Sequence, residues 1–298
     1  MTTTNPAPNL PNAVRGRILP GWMVHDEAMN YLTQECIPPM TAQDAEQIWQ
    51  QYRQRVEALA ENRALAPKYL PLNTQETAHA NSFMQFLNTR GPHQVARVVK
   101  VELRQLVVTQ YYVITERAED YRHRTTSSAD WLREFLPLTV LPAQTRTSFS
   151  LGPPASPHPL SSYIEIDMPH GEFALLPADP TLTVFGAAQF MRHVTGCETQ
   201  NRLLLKAGYH RAYARVLSAP TATVPTALIA LELNTCVPPA NQPPAVPGVT
   251  TGTVGLNPFG RRPALFLDFF TDGLFMDVLL KRKRYQLQIK STWLAIDA

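Results

Sequence analysis

The stretch RLLLKAGYHRAYARV (202–216) decides the fold. Arg202–Gly208 is an apolar run that stops at glycine, the pattern of a strand leading into a turn. Tyr209–Ala219 follows at once with helical spacing, so the reading is strand, turn, helix. Glycine permits the sharp reversal. The first turn of a helix carries free backbone N–H groups and the positive end of the helix dipole. His210 and Arg211 stand at that same end, and an arginine grips two oxygens of a phosphate at once. Gly208, Tyr209, His210 and Arg211 are therefore candidate anion-binding residues, with Lys206 two positions earlier on the strand. Ala207, Ala212 and Ala214 keep the helix slim, and Tyr213 is expected in the core.

Outward from this segment, Thr223–Leu233 is a further strand. Upstream, VARVVKVELRQLVVTQYYVI is rich in β-branched and aromatic residues and predicts one or two strands around 96–114. SSADWLREFLP (127–137) predicts a Ser-capped helix with Trp131, Leu132 and Phe135 inward. SSYIEIDM (161–168) alternates like a strand, and 182–196 reads as a strand plus helix or as one helix. In the N-terminal third, a helix over 41–66 is announced by Thr41 and Asp44, with Ala45, Ile48, Trp49, Tyr52 and Val56 on one face. A second helix covers 76–89. After a Pro-rich linker at 237–252, the stretches 264–270 and 283–296 predict a small strand pair or appended strand element.

The expected architecture is α+β in three parts: an N-terminal helical region at 21–94, a mixed central domain at 95–236, and a C-terminal β element at 253–298. Residues 1–20 are polar, contain prolines and are expected to be mobile, without a secretory signal.

Strand, Gly208, Tyr209, His210-Arg211 and helix, followed by a strand after Val224-Pro225, resemble the ParB/sulfiredoxin-like superfamily over about 95–235. VELRQLVVTQYYVITERAEDY (101–121) is similar to that family's opening element, and its strand-borne Gln or Asn falls on Gln110. The resemblance implies a nucleotide or phosphate ligand at Gly208–Arg211, with a nucleoside triphosphate and Mg2+ as cofactor. It implies hydrolysis or phosphotransfer as activity, and a bacterial switch for oligomeric assembly or DNA association. Two departures qualify the activity. Tyr209 stands where sulfiredoxin-like members need a cysteine, which speaks against sulfinic-acid reduction. Nor does it supply the carboxylate that nucleotide-hydrolysing relatives place there or nearby, so the expectation is binding without turnover.

Two other classes remain open. The run Lys281-Arg282-Lys283-Arg284, with Tyr285 and Trp293 nearby, fits phosphate contacts and base stacking in a nucleic-acid-binding accessory protein. The alternative for that run is a charged strand edge. The apolar stretch 264–280 fits core or an oligomer face in a structural subunit with no small ligand.

Composition bounds all three. The 298 residues include 27 Lys or Arg, 24 Asp or Glu, 27 Pro and 13 Gly, with 44% hydrophobic and 17% charged residues. A wholly disordered chain is excluded, and the net charge of +3 demands a local patch for any nucleic-acid contact. No apolar run is long enough to span a membrane, so no membrane partner is expected. Cys36, Cys197 and Cys236 form no CxxC pair and predict reduced thiols in a cytoplasmic protein. The eight histidines include no HxxxH or HExxH pair, and neither His170-Gly171-Glu172 nor His193 with Cys197 marks a metal or catalytic centre.

Overall fold

The computed structural model describes residues 13–64, 66–89, 93–138, 193–199, 201–220, 223–232 and 260–281. It also describes strands at 161–166, 175–177, 185–187 and 285–290. The fold is α+β, with six α-helices and mixed sheets among the described residues. The chain divides into two compact units, one of residues 1–138 with 192–281, the other of 139–191 with 282–298. This division differs from the sequence boundaries, because 260–281 belongs with the N-terminal helices and strands rather than with 282–298.

In the first unit, β1 (Ala13–Ile18) is the middle strand of a three-stranded sheet. It pairs antiparallel with β12 (Met276–Lys281) and with β5 (Tyr112–Ile114). Residues 13–18 thus correct the expectation of a mobile segment over 1–20. The sequence AVRGRI hides the strand behind two arginines. Arg17 donates to both carboxylate oxygens of Asp277 at 2.7 and 2.9 Å and lies 3.5 Å over the Phe275 ring. Arg15 bonds Glu119 at 2.6 Å.

The second sheet has six strands in the order β2 (Tyr69–Leu70), β3 (Val95–Glu102), β11 (Thr226–Glu232), β9 (Thr195–Thr199), β10 (Arg202–Ala207), β4 (Val107–Val108). β11 pairs antiparallel with β3 and parallel with β9, while β10 runs antiparallel to β9 and parallel to β4. Period-two alternation sorts β10. Leu203 and Leu205 enter the main core, whereas Leu204 joins Val107, Cys197 and Leu265 in a small cluster of its own.

The helices follow their caps. α2 (Ala42–Glu57) starts at Thr41, whose hydroxyl accepts from the Asp44 N–H at 3.1 Å. It stops at Glu57, nine residues before the expected end at 66. The preceding turn presses on it closely: a Cβ on Gly21 would lie 2.6 Å from the Tyr52 carbonyl oxygen. α1 (His25–Asn30) precedes it. α3 (Thr74–Thr89) opens with a reciprocal Asn73–Glu76 box at 2.8 and 2.9 Å. α4 (Thr115–Arg124), α5 (Ser128–Phe135) and α6 (Tyr209–Ser218) belong to the core. α4 packs along α6, and α5 and α6 lie on β11.

The stretch 264–270 is not a strand. Leu265 bridges Val107, and 266–270 is a 3-10 helix. Asp268 explains the departure, since its carboxylate accepts from the Leu265 N–H at 2.7 Å and rolls the chain into a turn. That carboxylate is fully buried and held by Arg63 in a fork at 2.7 and 2.9 Å. Burial pushes the Asp268 carboxyl up, against the pull of Arg63.

In the second unit, β6 (Ser161–Ile166) pairs antiparallel with β13 (Tyr285–Lys290), inside the expected C-terminal β stretch. β7 (Leu175–Pro177) pairs with β8 (Phe185–Ala187), a strand inside the stretch 182–196, of which 188–192 lie outside the described residues. The Pro-rich stretches 141–160 and 237–252 lie outside the described residues. Among the described residues no helix is long and apolar enough to cross a membrane.

Removing Arg63 leaves a buried carboxylate without its partner. Arg63→Ala is expected to lower unfolding stability by about 3–5 kcal/mol, read as a fall in the urea midpoint. The double change Arg63→Leu with Asp268→Leu is expected to recover much of that loss.

Candidate functional site

The turn singled out by sequence forms as expected. β10 ends at Ala207 and Gly208 sits in the left-handed region with φ 95°, capping α6. A Cβ at Gly208 would lie 2.6 Å from Val194 Cγ2, and Val194 is fixed by its N–H bond to the Phe135 carbonyl. The glycine is therefore required both by conformation and by space.

Tyr209, Lys206 and Arg211 at the turn are engaged within the protein. Tyr209 is 2% exposed, and its hydroxyl is a hub. It donates to the Leu205 carbonyl at 2.5 Å and accepts from the backbone N–H groups of Thr109 at 2.7 Å and Gln110 at 3.1 Å. Gln110 is thus brought to the turn, but by its backbone; its side-chain amide donates to the Tyr112 carbonyl at 2.7 Å. Lys206 pairs with Glu232 at 2.5 Å. His210 is half-buried at the second helical position. Tyr213 is buried, stacked on Phe270 with centroids 4.6 Å apart.

Arg211 faces inward with its side chain 8% exposed, and there it meets residues that sequence reading left unassigned. Its guanidinium carbon lies 5.4 Å over the Tyr121 ring. Arg124 lies over the same ring at 4.1 Å and Arg117 at 5.9 Å. Arg117 also donates to the Tyr121 hydroxyl at 3.5 Å. Glu134 on α5 binds Arg124 at 2.9 Å and approaches Arg211 at 3.6 Å. The signal was present in the sequence: 117, 121 and 124 are spaced i, i+4, i+7 and share one face of a helix. Nothing local, however, told that face to meet Arg211.

Tyr121 reports the field inside the cluster. Burial pushes its phenol up, yet Arg211, Arg117 and Arg124 together outweigh burial and hold it below the ordinary tyrosine value. Other tyrosines behave oppositely. Burial raises Tyr31, Tyr111 and Tyr209, and it lifts Tyr213 to about 12 even with Arg17 beside it. The surroundings of Tyr121 thus favour a negative charge, unlike those of these other tyrosines.

No family model, curated protein or solved structure matches this chain. Among the described residues no group of three His, Cys, Asp or Glu is placed to hold a metal ion. Cys197 lies within β9 and His193 two residues before that strand, not together on a helix. Cys36 is a buried free thiol and Cys197 is disulfide-bonded, which departs from the expectation of three reduced cysteines. Lys281 is exposed at the end of β12; Arg282, Lys283 and Arg284, like His170 and Glu172, lie outside the described residues.

Two outcomes check the geometry. Gly208→Ala is expected to cost about 1–3 kcal/mol from the left-handed backbone alone, measured by chemical denaturation. For Tyr121, a phenol depressed in the folded state adds stability above the unfolded value of about 10, and that increment is lost as pH falls through the folded value. Tyrosinate absorbance should therefore show a step below that of an ordinary tyrosine, and Tyr121→Phe should remove it.

Proposed function

We propose that this protein binds a phosphate-bearing ligand, a nucleotide in the first instance, at the arginine cluster that α4 forms with Arg211 on the first turn of α6. The observation that carries the reading is the gathering of Arg117, Arg124 and Arg211 within 5.9 Å of the Tyr121 ring centre, in surroundings that favour a negative charge there. Guanidinium forks suit phosphate oxygens, and the helix N-terminus adds to the same potential. The resemblance of Gly208–Ala214 to the ParB/sulfiredoxin-like phosphate turn points the same way. In that reading Mg2+ arrives on the ligand's phosphates rather than in a protein cage.

The role of the turn shifts within this reading. Tyr209 organises the backbone, Gln110 and Gly208 shape the turn, and Arg211 with Arg117 and Arg124 supplies the charge. Tyr209 is locked by hydrogen bonds and is no carboxylate, which favours binding without hydrolysis. The ligand would then act as a switch for assembly of copies of the chain or for DNA association, with exposed Lys281 as the described end of the basic run.

The test is thermal unfolding with CTP, ATP, GTP and ADP, each with Mg2+. A ligand at a hundredfold excess over Kd stabilises the folded state by about 2.7 kcal/mol. Arg117→Ala should abolish the rise while moving apo stability by less than about 1 kcal/mol. Arg211→Ala is the poorer probe, because Arg211 is buried against Glu134 and Tyr121 and its loss disturbs the core. No rise with any nucleotide overturns the proposal.

A further inference from the structure

The arginine cluster already contains an anion of its own. Glu134 meets Arg124 through both carboxylate oxygens, at 2.9 Å to Nε and 3.1 Å to Nη2. Its Oε2 also stands 3.6 Å from Arg211 Nε. A carboxylate forked on one guanidinium and reaching a second is the arrangement that a phosphate group takes between two arginines. Arg117 lies at the other end of the cluster, at the Tyr121 hydroxyl. The cluster opens on one side: the Arg124 side chain is 51% exposed, against 13% for Glu134 and 8% for Arg211.

We propose that Glu134 holds the place of a ligand oxyanion between Arg124 and Arg211, and that it thereby selects a polyphosphate, a chain of two or more phosphate groups, over a single phosphate. This rests on the phosphate-binding reading above and names its ligand class. A carboxylate tethered to α5 competes at an effective concentration that free anions rarely match. Orthophosphate between Arg124 and Arg211 only replaces contacts that Glu134 already makes, so it gains little. A diphosphate or triphosphate brings further charge and reaches toward Arg117 as well. Only such a ligand outcompetes the carboxylate, which then turns out to solvent from the partly exposed edge of α5.

The experiment titrates the full-length chain with orthophosphate, pyrophosphate and tripolyphosphate at matched ionic strength, by calorimetry and thermal unfolding. Wild type should bind pyrophosphate and tripolyphosphate at least about tenfold more tightly than orthophosphate. Glu134→Gln, which keeps the shape and removes the charge, should tighten orthophosphate by about tenfold or more and narrow that gap. Arg117→Ala should weaken tripolyphosphate and leave orthophosphate nearly unchanged. If Glu134→Gln fails to fold, Glu134→Asp keeps the charge but draws it back by one methylene, and it too should tighten orthophosphate. Should wild type bind pyrophosphate while neither Glu134 variant gains orthophosphate affinity, the role of Glu134 is overturned and the phosphate site stands. Should no polyphosphate bind wild type and no phosphate bind either variant, the phosphate-binding reading itself falls.

Discussion

Asp268 has no exposed surface and a carboxylate that only Arg63 and the Leu265 N–H make tolerable. An ion taken out of water at that depth requires its partner in place. Satisfying it draws residues 260–281 back onto the N-terminal half. Further bonds follow the same path. The Trp22 indole donates to the Arg262 carbonyl, Arg262 donates to the Leu59 carbonyl, and Asn62 N–H donates to the Arg261 carbonyl. With that segment docked, Phe266 and Phe269 fill the core and β12 reaches β1. The three-stranded sheet and the covered edge at β4 both depend on it.

Much of the fold was legible where local chemistry and tertiary demand agree. The caps at Thr41 and Ser127, the β10–Gly208–α6 junction and the β-branched run of β3 all form close to where the residues place them. Elements failed where a polar residue carried two meanings. Arg15 and Arg17 made β1 read as a solvated tail, although each is a strand residue with a carboxylate partner. Asp268 sat inside an apolar alternation that looked like a strand, and only its burial against Arg63 shows that it makes a turn. The same holds at the site. Gly208, Tyr209 and Arg211 were found by pattern, but the pattern does not say that Tyr209 turns inward or that α4 supplies Arg117 and Arg124. Those facts depend on how two helices meet, and helical spacing alone does not set that.

The cluster around Tyr121 joins packing and charge in one set of residues. Each arginine lies over the Tyr121 ring and covers apolar surface with its stem. Glu134 balances part of that charge within the fold. The cluster is thus held together by its own ion pairs and ring contacts.

The pairing of β1 with β12 has a temporal side. Arg17 and Asp277 are 260 residues apart along the chain, and the strands that carry them are hydrogen-bonded neighbours. During synthesis the first strand leaves the ribosome long before its main partner exists. Until then only the brief contact with β5 is on offer, and both β1 backbone edges are open to wrong partners. A contact spanning so much sequence also closes late and slowly. The arginines on β1 acquire a second use in that interval: two cations in six residues keep a waiting strand from pairing with another copy of itself.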